Sequence, residues 1–202
     1  GAGAGLQYML WETAGASRTI LDAAFPYHPQ ALEDILGRKP EKSCSRDTAI
    51  LMAGAAYGRA MEIAQKNGIS APLLGLGLTG AVSTDRERRG DDRVFVAVKT
   101  AGNVYVEETI FDKKVMTRQM EGFFCDALGL NMLLLACDLE PVPFPEKREL
   151  HPLAVVKEDC LTAIDDRPLF LENGLRGPAS DVSPEKHVLY PGSFNPLHFG
   201  HV

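Results

Sequence analysis

Apolar residues recur at helical spacing between positions 50 and 64, and include Ile50, Ala53 and Tyr57. Residues 43–47, just before them, supply serine N-caps and a first-turn aspartate, while Asn67-Gly68 is typical of a helix end. This pattern predicts a long helix whose alanines and glycines pack closely against a sheet, with Tyr57 in the core.

The residues that follow this helix have the patterns of β-strands. Residues 73–78 form a continuous apolar, glycine-rich run that is too short for a core helix. Such a run predicts a strand buried on both faces, in the interior of a sheet. Residues 93–100 and 103–111 flank Ala101-Gly102 and predict a β-hairpin.

Residues 115–137 predict a long amphipathic helix. Its expected buried stripe is Met116, Met120, Phe123, Phe124, Ala127, Leu128, Leu134 and Leu135. Gly122 and Gly129 lie seven residues apart, which allows a close helix contact inside the domain or across a homodimer. Before the long central helix, residues 6–11 and 29–36 predict short helices, and residues 19–27 predict a strand that ends at Pro26.

These elements predict a three-layer α/β/α domain with a central mixed sheet over residues 1–138. From Glu140 the composition changes to a proline-rich, charged stretch, so residues 139–186 are interpreted as a linker with room for short strands. Residues 187–202 begin with the apolar run of a new strand and are interpreted as the start of a second domain.

Composition narrows the function classes. The net charge of −6 disfavours nucleic-acid binding, and no apolar run approaches the ~20 residues of a membrane span, so we expect a soluble cytoplasmic protein. The four cysteines are scattered without a Cys-x-x-Cys pair, which favours free thiols over a zinc site, and no metal site is predicted.

The C-terminal stretch is the part whose residue order points to a chemistry. After the apolar run 188–190 come Pro191-Gly192, two side-chain donors and two histidines three residues apart. Glycine lets backbone N–H groups approach an anion, and two imidazoles can donate hydrogen bonds to a phosphate in its transition state. The predicted nucleotide-binding residues are Gly192, Ser193, Phe194 and Asn195, and the predicted catalytic residues are His198 and His201.

This stretch resembles the His-x-Gly-His signature of the nucleotidylyltransferase superfamily, and the Gly-Ser-Phe-Asn-Pro lead-in is most similar to its nicotinamide or nicotinate mononucleotide adenylyltransferases. The resemblance implies a Rossmann-like domain, ATP and Mg²⁺ as cofactors, and His198 and His201 holding the ATP phosphates while a mononucleotide attacks. Val202 ends the chain, and such a domain needs on the order of 100 more residues. We therefore expect a piece of a longer nucleotidyltransferase, inactive by itself and without a tightly bound cofactor.

The order of elements over residues 1–138 resembles the C-terminal domain of the CinA family, which has the nicotinamide-nucleotide amidase fold. The matching pieces are Ala14-Gly-Ala-Ser-Arg18, Pro26-Tyr27, Cys44-Ser-Arg-Asp47 and Gly75-Leu-Gly-Leu-Thr-Gly80. The family's nucleophile signature would fall at or before Gly1, with Ala2 at its threonine position, and its lysine is replaced by Leu32.

Those departures predict a domain that binds a pyridine mononucleotide but has lost amidase chemistry. A working nicotinamide-nucleotide amidase and a non-catalytic oligomerisation or binding module are the alternatives. The expected pocket contains Tyr27 and Thr79, each at a predicted strand end, where α/β sheets place ligands.

The loop between the predicted strands adds a candidate phosphate clamp. Residues 85–93 carry four arginines and four acidic residues, which permits a solvated, self-paired loop. Alternatively, Arg86 and Arg93 bind a substrate phosphate at the mouth of the central strand.

Overall fold

The computed structural model describes residues 1–86, 88–142, 154–157 and 188–191. Its helices are α1 (Ala4–Glu12), α2 (Pro29–Leu36), α3 (Arg46–Asn67) and α4 (Arg118–Ala136), with a short 3₁₀ turn at Ala16–Arg18. Its strands are β1 (Leu73–Ala81), β2 (Asp92–Lys99), β3 (Asn103–Phe111), β4 (Ala154–Lys157) and β5 (Val188–Pro191). The sheet order is β4-β3-β2-β1-β5, with β1 and β5 parallel and the other pairs antiparallel.

Strand β1 lies inside the sheet, between β2 and β5, which confirms the prediction from its apolar run. Helix α3 packs with its backbone very close to β1. A Cβ on Gly75 would lie 2.8 Å from the Cα of Tyr57, and one on Gly77 would lie 2.7 Å from the Cβ of Met52. The glycines of β1 therefore let the helix backbone rest directly on the strand.

The opposite face of the sheet carries the largest apolar cluster. Leu74, Leu76 and Leu78 of β1 pack there with Leu6 of α1 and with residues of α4. Helices thus cover both faces of a mixed sheet, and the chain is an α/β protein. An added Cβ on Gly129 of α4 would clash with the Leu6 side chain, so this glycine serves a close helix contact within the domain, whereas Gly122 faces open space among the described residues.

The ends of the central helices follow their sequence signals. Ser45 precedes α3, and its hydroxyl accepts a hydrogen bond from Thr48 N at 3.1 Å. Gly68 closes α3 with φ of 64°, and Gly37 closes α2 with φ of 66°. Left-handed backbone of this kind suits glycine, so both predicted helix ends are confirmed. The hairpin of β2 and β3 around residues 101–102 is confirmed as well.

The strand predicted for residues 19–27 was wrong. After the 3₁₀ turn the segment has a single β-bridge residue at Ile20 and then runs without regular secondary structure to Tyr27, while β5 lies beside β1. The Asp22 carboxylate accepts a hydrogen bond from Ala23 N at 2.7 Å. A side chain that binds its own backbone competes with a sheet ladder, which the apolar composition of the segment did not reveal.

The buried stripe predicted for α4 was wrong in part. Met120 and Phe123 are 43% and 50% exposed, whereas Glu121, Asp126 and Asn131 are buried. Each of the three buried polar residues hydrogen bonds to the backbone of another segment, namely Ser83 N, Gly5 N and residue 142. These bonds turn the helix so that its polar positions face inward.

The two short strands β4 and β5 come from the parts of the sequence interpreted as a linker and as the start of a second domain. Both join the sheet, β4 beside β3 and β5 beside β1. The position of the domain boundary stays a prediction. Among the helices that the structure describes, none has the length and apolar character needed to cross a membrane.

Candidate functional site

A cavity of about 280 Å³ opens where β1 ends. Its walls come from the N-terminal turn, the segment before α2, the first turns of α2, the segment before α3, Met52 of α3 and the last residues of β1. The described lining residues are Gly1, Ala2, Phe25, Pro26, Tyr27, His28, Pro29, Leu32, Ser43, Met52, Leu78, Thr79 and Gly80. Two predicted site residues from distant parts of the chain, Tyr27 and Thr79, thus share one cavity.

Thr79 is fixed by the segment before α3. Its hydroxyl donates a hydrogen bond to the Ser43 carbonyl oxygen at 2.6 Å. Because the single hydroxyl proton is used in this way, the oxygen can only accept hydrogen bonds from a ligand. The sequence predicted that Thr79 could bind a ribose or carboxamide, and the structure restricts that role to accepting from a ribose hydroxyl or an amide N–H.

Tyr27 provides an aromatic wall. Its ring stacks on Phe25, with ring centroids 5.9 Å apart and an interplanar angle of 15°. The Tyr27 side chain is 75% exposed, so its outer face is open to a partner. A second flat ring could extend this stack, since offset aromatic pairs are favourable beyond their buried area.

His28 lines the cavity next to Tyr27 and was missed by the sequence analysis. It is the N-cap of α2, and its Nδ1 accepts a hydrogen bond from Gln30 N at 3.2 Å. The signal was present, because a residue just before a proline that opens a helix occupies the capping position. Histidine is simply less common in that position than serine, threonine or aspartate.

The positions that depart from the CinA family motif lie in the same cavity. Ala2 and Leu32 line it together with Tyr27 and Thr79, and the four come from three separate segments of the chain, since Tyr27 and Leu32 are close in sequence. Leu32 is buried, and a Cβ on Gly80 would lie 2.6 Å from the Cβ of Ala2. Where the resemblance implies a hydroxyl and an amine, this chain presents a methyl group and an isobutyl group.

Arg86 and Arg93 are not among the described residues that line this cavity. Arg93 lies opposite Ala81 in the β1–β2 register, and its guanidinium pairs with Asp91 at 2.6 Å and Glu108 at 3.0 Å. Arg86 is exposed on the loop. Since Arg93 is committed to two carboxylates, the self-paired form of the loop describes it better than a phosphate clamp.

The same loop is anchored from several sides. Arg88 bonds to Asp92 and to the Val82 carbonyl, Lys113 donates to the carbonyl oxygens of Arg88 and Gly90, and Arg118 donates to that of Ser83. These contacts are spread over the backbone of the loop and hold it in place. Their cationic groups are therefore engaged in structure.

Glu121 of α4 also contacts the backbone of this loop. Its Oε2 accepts a hydrogen bond from Ser83 N at 2.6 Å, and Oε1 has no hydrogen-bond partner among the described residues. Burial raises the pKa of the Glu121 carboxyl, and the nearby Asp92 carboxyl adds to the effect, while the Ser83 N–H and Arg88 oppose it. The group thus favours its neutral form more than an exposed glutamate does.

The predicted residues Gly192, Ser193, Phe194, Asn195, His198 and His201 lie outside the described residues. The described chain leads toward them through β5, whose last residue, Pro191, pairs with Leu76 of β1. Because β5 and β1 are parallel, β5 ends toward the same end of the sheet at which β1 carries Thr79.

Within the described residues, no three side chains of His, Cys, Asp or Glu are grouped so that they could hold a metal ion. Cys44, Cys125 and Cys137 are free thiols. The chain is thus an α/β protein with a partly aromatic cavity at a strand end. Comparison with protein-family models, curated proteins and solved structures finds no match in any of the three.

Proposed function

We propose that this domain binds a pyridine mononucleotide in the cavity at the end of β1 and does not hydrolyse it. The observation that supports the proposal is the meeting of Ala2, Tyr27, Leu32 and Thr79 in one cavity. The CinA resemblance singles out these four positions from the sequence alone, and they come from three separate segments of the chain, around residues 2, 27–32 and 79.

The lining suits such a ligand. A pyridine ring can stack on the open face of Tyr27, and a ribose hydroxyl or carboxamide N–H can donate to the Thr79 oxygen. The cavity volume of about 280 Å³ lies just below the range of typical ligand sites, which is roughly 300–1,000 Å³. That size favours a mononucleotide over a dinucleotide.

Loss of hydrolysis follows from the two apolar replacements. Attack on an amide needs a nucleophile and a group that activates it. Ala2 and Leu32 offer neither, and Leu32 fills its part of the wall with a buried aliphatic side chain. We therefore expect ligand binding without turnover.

Calorimetric titration with nicotinamide mononucleotide tests the binding. Tyr27→Ala removes the stacking surface and Thr79→Val removes the acceptor, and each change is expected to weaken binding by roughly fivefold or more, since stacking and hydrogen bonding each contribute about 1 kcal/mol or more. Tyr8→Ala is the matched control, because Tyr8 is also an exposed tyrosine but does not line the cavity. Equal affinities in all four proteins would contradict the proposal.

The same samples decide between binding and the amidase alternative. Incubation with nicotinamide mononucleotide should release ammonia slowly or not at all. Rapid release that Thr79→Ala abolishes would identify a working amidase. Failure to bind in the calorimeter would instead leave the oligomerisation or structural module.

Nucleotidyl transfer is a second proposed function, assigned to the longer protein to which the C-terminal motif would belong. Two observations favour it. One is the residue order of the C-terminal motif, and the other is that β5, the strand before the motif, ends toward the end of the sheet at which β1 carries Thr79. The test is pyrophosphate release from ATP, Mg²⁺ and nicotinamide or nicotinate mononucleotide. We expect no release by the 202-residue chain and release by the longer protein, and a His201→Ala form of the latter that keeps its full rate would contradict the assignment.

A further inference from the structure

We infer that His28 binds the phosphate of the mononucleotide and so sets the preference of this cavity for a nucleotide over its nucleoside. This inference rests on the proposed function. Among the described lining residues, His28 is the one whose side chain has a nitrogen that can donate a hydrogen bond. It stands beside Tyr27, the proposed stacking surface for the pyridine ring.

The capping contact orients the imidazole. Nδ1 accepts from Gln30 N at 3.2 Å, so a neutral His28 carries its proton on Nε2. Within the described residues, no hydrogen bond reaches Nε2. The ring therefore keeps one nitrogen on the helix and has an N–H donor left over for an anion.

Backbone donors at the start of α2 are largely used already. Pro29 has no N–H, Gln30 N bonds to the imidazole, and Leu32 N donates to the His28 carbonyl at 3.1 Å. Of the two arginines expected from the sequence to hold the phosphate, Arg93 is paired with Asp91 and Glu108, and Arg86 is exposed and is not among the described lining residues. The Nε2–H of His28 is left as the side-chain donor, and its bond to a phosphate is charge-assisted because the acceptor is ionised, which makes it about twice as strong as a neutral hydrogen bond.

His28→Asp separates this role from the capping role. Aspartate is a preferred N-cap, and its charge is favourable at a helix N-terminus, so α2 should keep its stability. The same carboxylate would repel a phosphate. Titrations should compare nicotinamide mononucleotide with nicotinamide riboside, which lacks the phosphate.

In the wild-type protein we expect the mononucleotide to bind at least about fivefold more tightly than the riboside. His28→Asp should weaken mononucleotide binding by about tenfold or more and change riboside binding by less than about twofold. Gln30→Glu is the matched control, since it adds one negative charge to the same end of α2 at a residue that does not line the cavity. It should leave the ratio of the two affinities within about twofold of the wild-type value.

Thermal unfolding of each variant without ligand checks that α2 is intact. Equal weakening of both ligands by His28→Asp, or an equal effect of Gln30→Glu, would overturn the role of His28 while leaving the proposed function standing. Absence of binding by both ligands to the wild-type protein would overturn the proposed function and this inference together.

Discussion

The absence of a Cβ atom at Gly75 is expected to be important for the stability of this protein. A Cβ there would meet the Ala53 carbonyl oxygen and lie 2.8 Å from the Tyr57 Cα, both backbone atoms of α3. Because backbone cannot rotate away as a side chain can, Gly75→Ala should lower the free energy of unfolding by about 3 kcal/mol or more. Chemical denaturation measures the change.

Gly58 provides the control for this substitution. It lies within α3, and a Cβ there would meet no described atom within 4 Å. Gly58→Ala should raise the free energy of unfolding by roughly 0.5–1 kcal/mol, because alanine is the better helix former. A Gly75→Ala protein as stable as the wild type would show that α3 does not rest on β1 as described.

Helix α4 depends on buried acids for its orientation, and Glu121 makes this testable through pH. Because burial raises its folded-state pKa, the folded protein holds this proton more tightly than the unfolded chain. The stability that the neutral carboxyl contributes is present below its ordinary pKa of 4.5 and is lost as pH rises through the folded-state pKa.

Glu121→Gln should remove the loss of stability that the wild-type protein shows as pH rises. The amide oxygen can still accept from Ser83 N, and the amide N–H group can donate to the nearby Asp92 carboxyl. Its free energy of unfolding should therefore rise relative to the wild type as pH increases above about 4.5, whereas Glu121→Ala should cost about 1–3 kcal/mol by leaving Ser83 N unpaired. Denaturation series at several pH values check both, and a constant difference between wild type and Glu121→Gln would contradict the assignment.

The elements differ in how well the sequence predicted them, and the reasons are local. Helix α3 has clear capping residues, and β1 is a glycine-rich apolar run. The positions of both elements could therefore be predicted from the local sequence. The buried face of helix α4 could not be predicted, since its Glu121, Asp126 and Asn131 look like surface residues until their backbone partners are known. A pattern of apolar positions cannot anticipate bonds between residues more than 30 positions apart, such as those of Glu121 and Asp126.

The candidate site also contains residues that the sequence predicted and residues that it did not. Tyr27 and Thr79 were predicted to share a pocket because each was expected at the end of a strand, and the structure brings them into one cavity. The strand expected before Tyr27 does not form, so this pairing did not depend on the reason first given for it. The role of Arg93 depended on its pairing with Glu108 of the next strand, which no short-range pattern encodes, whereas the capping role of His28 was signalled by the proline that follows it.

On the scale of the whole molecule, the layers share β1, which packs on α3 through one face and on the cluster containing α1 and α4 through the other. We therefore expect a single cooperative unfolding transition of these layers. Trp11, the one tryptophan of the chain, packs against the cluster from α1, so its fluorescence reports that layer. Its transition should coincide with that of far-ultraviolet circular dichroism, and an earlier fluorescence change would show that α1 detaches separately.

The two faces of β1 also differ in how much sequence variation each can accept. Beneath α3, Gly75 and Gly77 are required because there is no volume to fill, and every other amino acid is excluded for the same reason. On the opposite face, Leu74, Leu76 and Leu78 lie in a core of interlocking side chains, where aliphatic exchanges of similar size are tolerated. A library randomised over this strand and selected for folding should therefore retain glycine at positions 75 and 77, with a range of aliphatic residues at positions 74, 76 and 78.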